Sequence, residues 1–229
     1  MKIMEVRISG THFPLETLGP GQRLGIWFQG CALACPGCMS RHTWAPEGGT
    51  TEEVSGLLRM WEEALGRGAE GLTVSGGEPL DQPEALAGLL AGAARARDRA
   101  DGGADGGEGG ADLLVYTGYE PDELTAARHR ALRGADAVIT GRFRVARPTR
   151  LVWRGSANQR LRPLTARGER RYAPHLARDS AGGRLQVVAQ PGPPAGVRVH
   201  GVPLRGELRA VEQGLREAGV TLRSPSWRP

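Results

Sequence analysis

The feature that most constrains the fold is an alternation of short apolar segments with longer amphipathic ones. Runs rich in β-branched, aromatic or leucine residues predict strands at residues 2–9, 24–30, 70–79, 112–119 and 135–143. Amphipathic segments between them predict helices at 50–68, 83–97 and 121–132. Alternation of this kind is typical of βαβ units with a parallel sheet, and we therefore predict an α/β fold.

The ends of the predicted helices carry recognisable signals. Thr50 and Glu53 have the spacing of a capping box, and Asp81 and Glu84 repeat that spacing before the second helix. Pro121 stands at the start of the third helix, where a missing N–H does no harm. We expect the helices to begin near these residues.

Two stretches depart from the pattern. The acidic, glycine-rich segment 101–112 cannot bury apolar surface and predicts a flexible loop. Residues 155–182 are polar and rich in arginine, and the sequence assigns them no structure. Strands at 185–190 and 197–202 and a helix at 207–219 follow. We divide the chain into a main domain, residues 1–160, and a small α+β extension, residues 161–229, to which the sequence assigns no role.

Composition narrows the class of protein. The 229 residues are 39% hydrophobic and 24% charged with a mean hydropathy of −0.35, as in soluble globular proteins. No apolar run is long enough for a membrane span, and the first residues lack the pattern of a signal peptide. We expect a cytoplasmic protein without a membrane partner.

The basic residues are almost all arginine, and the net charge is +5. Arginines are concentrated in residues 142–155 and 167–178. Such clusters could meet phosphates or an acidic partner, but the simpler interpretation is a solvated surface. We do not expect nucleic acid as a partner.

All three cysteines lie within eight positions, at Cys31, Cys35 and Cys38. Clustered thiolates select zinc or an iron–sulfur cluster. With His42 they could complete a Cys3His zinc site. Alternatively, the three cysteines bind a [4Fe–4S] cluster, which normally takes four thiolates, and leave one iron open. The spacing alone leaves both alternatives open.

A second motif follows the predicted strand at 70–79. Gly76 and Gly77 allow a close approach of the backbone to another group, and the Glu78 carboxylate can accept from an ammonium group. In α/β folds the carboxyl end of a strand is the edge that binds ligands. An ordinary strand-to-helix turn is the alternative.

The cysteine loop followed by SGGEP resembles the radical S-adenosylmethionine (SAM) superfamily. Four segments more narrowly resemble the glycyl-radical-enzyme activating proteins, above all those of anaerobic ribonucleotide reductase. They are GIWFQGCALACPGC, LTVSGGEPLDQPEAL, YTGYEPDEL and WRGSANQR. The resemblance covers roughly residues 4–160.

The resemblance implies a partial (β/α) barrel of the radical SAM type, related to the TIM barrel, with its site at the C-terminal edge of the strands. Cys31, Cys35 and Cys38 would bind three irons of a [4Fe–4S] cluster. The fourth iron would bind the amino and carboxylate groups of SAM.

The resemblance also implies a SAM site. Gly76, Gly77 and Glu78, with Pro79 in the same turn, would hold the amino group of SAM, and Thr117 and Gly118 would lie near its ribose. An electron from a flavodoxin- or ferredoxin-like donor would cleave SAM to methionine and a 5′-deoxyadenosyl radical. That radical would take a hydrogen atom from a backbone glycine of a large glycyl-radical enzyme partner.

The sequence departs from the family pattern at Thr140 and Arg142, where the subgroup tends to have an acidic residue and proline. This departure favours a rival function, a small radical SAM enzyme that modifies a small molecule, nucleobase or peptide. A non-enzymatic zinc or iron–sulfur module is a second rival. Arg154, Asn158 and Arg160 could bind the SAM carboxylate, dock a partner or form an ordinary loop.

Overall fold

The computed structural model describes residues 3–102, 110–190, 196–223 and 225–228. Most of the predicted flexible loop at 101–112 therefore lies outside the described residues. The described residues form a seven-stranded sheet with helices, followed by a separate two-stranded sheet. The predicted α/β class is confirmed.

The main sheet is built around four neighbouring parallel strands. They are β2 (Arg23–Phe28), β4 (Gly71–Gly76), β5 (Asp112–Tyr116) and β6 (Ala137–Thr140). The flanking strands are antiparallel to their neighbours: β1 (Glu5–Leu15), β3 (Thr50–Glu53) and β7 (Arg160–Pro163). The order β3-β1-β2-β4-β5-β6-β7 leaves the sheet open, and the described residues form no closed barrel.

One face of the sheet carries the hydrophobic core. Alternate residues of the strands point to this face, among them Ile26, Val74 and Val115. Two long helices cover it, α1 (Val54–Gly66) and α2 (Pro83–Ala100). Trp61 of α1 is fully buried there, and its indole N–H donates to the carbonyl oxygen of Ala93 at 3.1 Å.

The opposite face carries a buried group of polar side chains near the beginning of the parallel strands. Arg23 and Asp112 form a fully buried ion pair, with an NH2–Oδ1 distance of 2.7 Å. The Nε of Arg23 also donates to Thr73 Oγ1 at 2.6 Å, and the buried hydroxyl of Tyr172 donates to Asp112. Burial by itself lowers the pKa of Arg23. The attraction of the Asp112 carboxylate, together with that of nearby tyrosines, is larger than this effect, and the pKa of Arg23 is raised.

Two expectations about helix starts are wrong. Residues 50–53 form the edge strand β3, because they pair with β1 in the register Ile8↔Thr50 to Glu5↔Glu53. Glu53 then stands at the N-cap of α1, but no side chain makes a capping hydrogen bond there. The helix α2 begins after Gln82, not with a cap by Asp81. The Asp81 carboxylate instead accepts a hydrogen bond from the hydroxyl of Tyr119 at 2.7 Å.

The third predicted helix is divided in two. A short 3-10 turn at Pro121–Glu123 precedes the helix α3 (Ala126–Ala131), which Thr125 caps through its side-chain oxygen. The unassigned region 155–182 contains β7 and the helix α4 (Ala166–Tyr172). The α4 helix brings Tyr172 to the buried ion pair.

The C-terminal region forms a hairpin, β8 (Leu185–Gln190) and β9 (Gly196–Gly201), followed by the helix α5 (Glu207–Glu217). His200 of β9 stacks on Trp27 of β2 and on His12 of β1, with ring centroids 4.5 Å and 4.7 Å apart. Near the hairpin, the guanidinium of Arg184 donates to the carbonyl oxygens of Arg150 and Arg154. The extension therefore contacts both the β1–β2 side of the sheet and the segment that precedes β7.

None of the helices in the described part of the chain combines the length and apolarity that a bilayer span requires.

The buried ion pair gives a first prediction. Asp112→Ala leaves the Arg23 guanidinium buried without its carboxylate, and we expect the free energy of unfolding to fall by about 3–5 kcal/mol. Asp98→Ala is the matched control, since Asp98 also pairs with an arginine but its side chain is 56% exposed. Its loss should be below about 1 kcal/mol. Urea denaturation measures both, and equal losses would contradict this account.

Candidate functional site

The four parallel strands end at the same edge of the sheet, and the chain after each end carries the residues singled out from the sequence. The cysteines follow β2, the SGGEP turn follows β4, Thr117 and Gly118 follow β5, and residues 141–143 follow β6. The structure thus brings the predicted residues together at one edge.

The cysteine loop, defined here as residues 31–43, is closed at its base by backbone hydrogen bonds. The N–H of Gly30 donates to Thr43 O at 2.8 Å, and that of Cys31 to Trp44 O at 3.0 Å. Below them, the amide of Gln29 donates to the carbonyl oxygens of His42 and Ala45. The two ends of the loop are therefore fixed to each other and to β2.

The three cysteines are free thiols on this loop, and all are partly exposed. Burial raises the pKa of the Cys31 thiol, whereas the backbone amides of Leu33 and Ala34 lower it. Burial also raises the pKa of the Cys35 thiol, against the effect of the Phe143 amide. Each of the two thiolates would interact electrostatically with the next cysteine of the loop.

These thiols fit the donor set of an iron–sulfur cluster. Thiolates bind the irons of such a cluster, and hydrogen bonds to the sulfurs tune it. The backbone N–H of Ser40 points at Cys38 Sγ at 3.4 Å and extends the set of amides beside Cys31 and Cys35. Among the described residues, no group of three or more His, Cys, Asp or Glu side chains is arranged to hold a single metal ion.

The glycine pair of the SGGEP turn packs directly against the base of the cysteine loop. The N–H of Gly77 donates to Phe28 O at 2.7 Å, and that of Glu78 donates to Gly30 O at 2.8 Å. A Cβ on Gly77 would lie 2.2 Å from Gly30 O, and Gly76 has a φ of +114°. Both positions therefore require glycine for the close contact of β4 with the loop.

The carboxylate of Glu78 joins the ends of β4 and β5. Its oxygens accept from Leu80 N at 2.9 Å, Thr117 Oγ1 at 2.8 Å and Gly118 N at 2.7 Å. The residue is 1% exposed. Burial raises the pKa of Glu78 to about 7, although the three donors favour its charged form.

The groups expected to contact SAM are engaged with one another in the structure. The hydroxyl of Thr117 donates to Glu78 and accepts from Tyr119 N at 3.1 Å. The side chain of Leu33, in the cysteine loop, lies against Gly118, since a Cβ there would be 2.5 Å from Leu33 Cδ1. Pro79 is buried and begins a 3-10 turn.

His42 follows the cysteines in a 3-10 turn, Arg41–Thr43. Burial lowers the pKa of His42, which favours a neutral imidazole. A cavity of about 910 Å³ lies between the cysteine loop and the extension, and His42, Trp27 and Arg198 are among the residues that line it.

The WRGSANQR segment forms an ordered loop beside this edge. The guanidinium of Arg154 donates hydrogen bonds to the backbone carbonyl oxygens of Val152, His175 and Leu176. Asn158 Nδ2 donates to Arg142 O at 2.9 Å, while Arg160 lies in β7 with an exposed side chain. The contacts of Arg154 correspond to the loop interpretation of this segment.

The two residues that depart from the family pattern have different environments. Arg142 forms a two-pronged ion pair with Glu123, with an NH2–Oε1 distance of 2.8 Å. Its charge also lowers the pKa of the Cys35 thiol. Thr140 is fully buried, and its hydroxyl has no hydrogen-bond partner among the described residues.

Three contributors to the site were missed in the sequence. Gln29 and Thr43 close the loop, and the backbone of Phe143 reaches Cys35. Gln29 had a signal, because a polar residue that directly follows an apolar strand and precedes a Gly-Cys pair needs a partner. The contact between Phe143 and Cys35 joins segments that are far apart in the chain, and no local pattern in the sequence indicates it.

The chain is similar in sequence to known proteins. A family model described as a 4Fe-4S single cluster domain matches residues 17–162. An anaerobic ribonucleoside-triphosphate reductase-activating protein of Salmonella typhi is 30% identical over 152 residues, covering 65% of this chain and 93% of that protein. A protein of the same name from Escherichia coli K12 is 30% identical over 154 residues, with the same coverage.

Among solved structures, QueE from Escherichia coli has a TM-score of 0.38 and 17% identity, covering 62% of this chain and 73% of that chain. The family match includes the cysteine loop and the turns after β4 and β5, and it ends within β7, before α4.

The close contact at Gly77 gives a second prediction. Gly77→Ala pushes a methyl group against Gly30 O, and such overpacking costs about 1–3 kcal/mol or displaces the loop. We expect this variant to lose most of the iron that the wild-type protein holds after anaerobic reconstitution. Gly214→Ala is the control, because its Cβ would meet nothing within 4 Å. Full iron content in Gly77→Ala would contradict the packing argument.

The buried carboxylate gives a third prediction. Between pH 4.5, the ordinary pKa of a glutamate, and about pH 7, the raised pKa of Glu78, the folded protein keeps the proton that the unfolded chain loses, so the free energy of unfolding falls as the pH rises. The loss through this window should be about 3 kcal/mol. Glu78→Gln should remove this part of the pH dependence in denaturant unfolding of the metal-free protein. An unchanged slope in the variant would contradict it.

Proposed function

We propose a function from one premise: the chain belongs to the 4Fe-4S single cluster domain family and to the family of anaerobic ribonucleoside-triphosphate reductase-activating proteins. We propose that it is a radical SAM enzyme of the activating type, which installs a glycyl radical on an anaerobic ribonucleotide reductase. The observation that carries the proposal is the loop of three thiols fixed to the ends of β2 and β4.

Cys31, Cys35 and Cys38 would hold the cluster. Both Cys31 and Cys35 must lose protons to bind iron, and burial alone disfavours this. Binding of the irons would supply the compensating positive charge. The amides of Leu33, Ala34, Phe143 and Ser40 would then donate to thiolate sulfur rather than to thiols.

The cluster, when bound with SAM, would supply a one-electron cleavage of SAM to methionine and a 5′-deoxyadenosyl radical. The chain itself would orient SAM at the edge of a sheet that we propose is a partial barrel of the radical SAM type. The backbone of Gly76 and Gly77 lies directly beside the base of the cysteine loop. We propose that it receives the amino group of SAM.

The sequence predicts that Glu78 holds the amino group of SAM and that Thr117 lies near its ribose, but we propose a different role for them. Their polar atoms are bonded to each other in the structure, so they would contact SAM only by exchanging one of these bonds. We propose that Glu78 mainly holds the Gly118 backbone in place beside the cluster. Pro79 and Gly118 complete this turn and its neighbour.

The partner is proposed from the relatives, which are named as activating proteins of anaerobic ribonucleoside-triphosphate reductase. A flavodoxin- or ferredoxin-like donor would supply the electron, and the cytoplasm would be the place where the three proteins meet. The departures at Thr140 and Arg142 favour one rival, a radical SAM enzyme with a small-molecule substrate.

The fourth prediction tests the cluster and its ligands. Cys35→Ser should lose most of the iron and sulfide after anaerobic reconstitution, because one iron loses its thiolate. His42→Ala should keep them, since we assign no iron to His42. A protein with about one zinc, no sulfide and a requirement for His42 would instead be the Cys3His zinc module.

The activity is tested by anaerobic incubation with SAM, dithionite and the anaerobic ribonucleotide reductase of the same organism. We expect 5′-deoxyadenosine together with a glycyl-radical signal in electron paramagnetic resonance (EPR). Formation of 5′-deoxyadenosine without that signal would favour the small-molecule rival.

A further inference from the structure

One charged segment of the sequence has no role in the proposed reaction. The loop after β6 carries Arg142, Arg144, Arg147 and Arg150 within nine residues and no acidic residue. Arg142 is committed to Glu123, but residues 144–148 are exposed. The structure shows which part of the molecule this loop touches.

The loop lies directly against the cysteine loop. The amide of Phe143 is beside the Cys35 thiol, and Gly37 faces the side chains of Phe143 and Val145, whose nearest atoms would be 3.4 Å from a Cβ there. Val145 is nevertheless 64% exposed. The exposed residues of the cysteine loop at 32, 34, 36 and 37 are uncharged.

Together, the exposed residues at 32, 34, 36 and 37 and the loop 144–150 form what we name the basic face. Its uncharged part includes Val145, which lies beside Gly37, and its charge comes from the exposed Arg144, Arg147 and Arg150 of the same loop. Arg147 forms no ion pair among the described residues, and Arg150 is 3.9 Å from Asp179, with a 69% exposed side chain. Arg144 pairs with Glu120, with an NH2–Oε1 distance of 3.3 Å, and its side chain is 50% exposed. The charge of Arg147 is therefore available to a partner, and the exposed side chains of Arg144 and Arg150 can also reach one.

The geometry points to the basic face as the docking site of an acidic electron-transfer protein. This inference rests on the proposed function, because it gives the face the task of delivering the electron. Docking here would place the donor over Cys35 and Gly37, on the outer side of the cysteine loop. One electron would leave the donor and enter the cluster, so the donor is oxidised by one electron and the cluster reduced by one.

The composition of the face suits a brief encounter of this kind. Electron-transfer complexes are small and weak, and an apolar centre with a charged rim is the usual arrangement of an interface. Complementary charge raises the association rate and makes it sensitive to salt. The three arginines of the basic face therefore favour a donor protein with a negatively charged surface.

The experiment uses flavodoxin, an acidic flavoprotein, as the probe, and the double variant Arg147→Glu/Arg150→Glu. The control is Arg130→Glu/Arg133→Glu, which makes the same change of charge on exposed residues at and after α3, just before the start of β6 and thus at the opposite end of the parallel strands. Calorimetry measures flavodoxin binding to the full-length protein at several salt concentrations, independently of any activity.

We expect the test variant to bind flavodoxin about tenfold more weakly at low salt, with a flatter salt dependence, while the control changes little. Formation of 5′-deoxyadenosine should fall when photoreduced flavodoxin supplies the electron. It should stay at the wild-type level with dithionite, which needs no docking surface.

Equal effects of the two double variants, or none in either, would overturn the proposal. So would a loss of glycyl-radical formation with dithionite, since the face would then dock the large partner. Failure of the proposed function has a different signature: wild-type protein would form no 5′-deoxyadenosine even with dithionite, while calorimetry would still report whether flavodoxin binds the face.

Discussion

The arrangement of the site depends on one buried carboxylate, that of Glu78. Its backbone N–H holds Gly30 at the base of the cysteine loop, and its side chain holds Thr117 and Gly118 at the end of the next strand. A single residue thus fixes the relative positions of three strand ends. The three donors to its carboxylate offset part of the free energy that burial of a charge requires.

Buried charged side chains are stabilised in different ways at the two ends of the parallel strands. Near the start of the strands, Arg23 and Asp112 neutralise each other and are surrounded by Thr73 and Tyr172. At the other end, no described cation forms an ion pair with Glu78, which is held by neutral donors alone. An ion pair suits a region that only has to be stable, whereas the neutral donors to Glu78 add no cation beside Cys31.

The sequence predicted the parts of the molecule that depend on local pattern. The strands alternate with helices as expected, and the cysteines and the SGGEP turn meet at one edge because parallel strands share their carboxyl ends. The close contact of Gly77 with Gly30 could be anticipated only as a need for glycine, since its partner lies 47 residues earlier in the chain.

Predictions failed where distant segments compete for the same residues. Thr50 and Glu53 have the pattern of a helix cap, but β1 offers them a row of unpaired backbone groups, and they form a strand. Asp81 accepts a hydrogen bond from the hydroxyl of Tyr119 and does not cap a helix. The division at residue 160 stays a prediction, and the structure places β7 and α4 with the main sheet.

The position of the hairpin β8–β9 has a consequence for the order of events during synthesis. Gln186 bonds to Pro14 across 172 residues, and Ser226 bonds to Met39 across 187. His200 covers the ring of Trp27. During synthesis, Trp27 is therefore made 173 residues before the histidine that covers its ring. Packing of the hairpin on the main sheet therefore requires the closure of very long loops, which makes it a late step in folding.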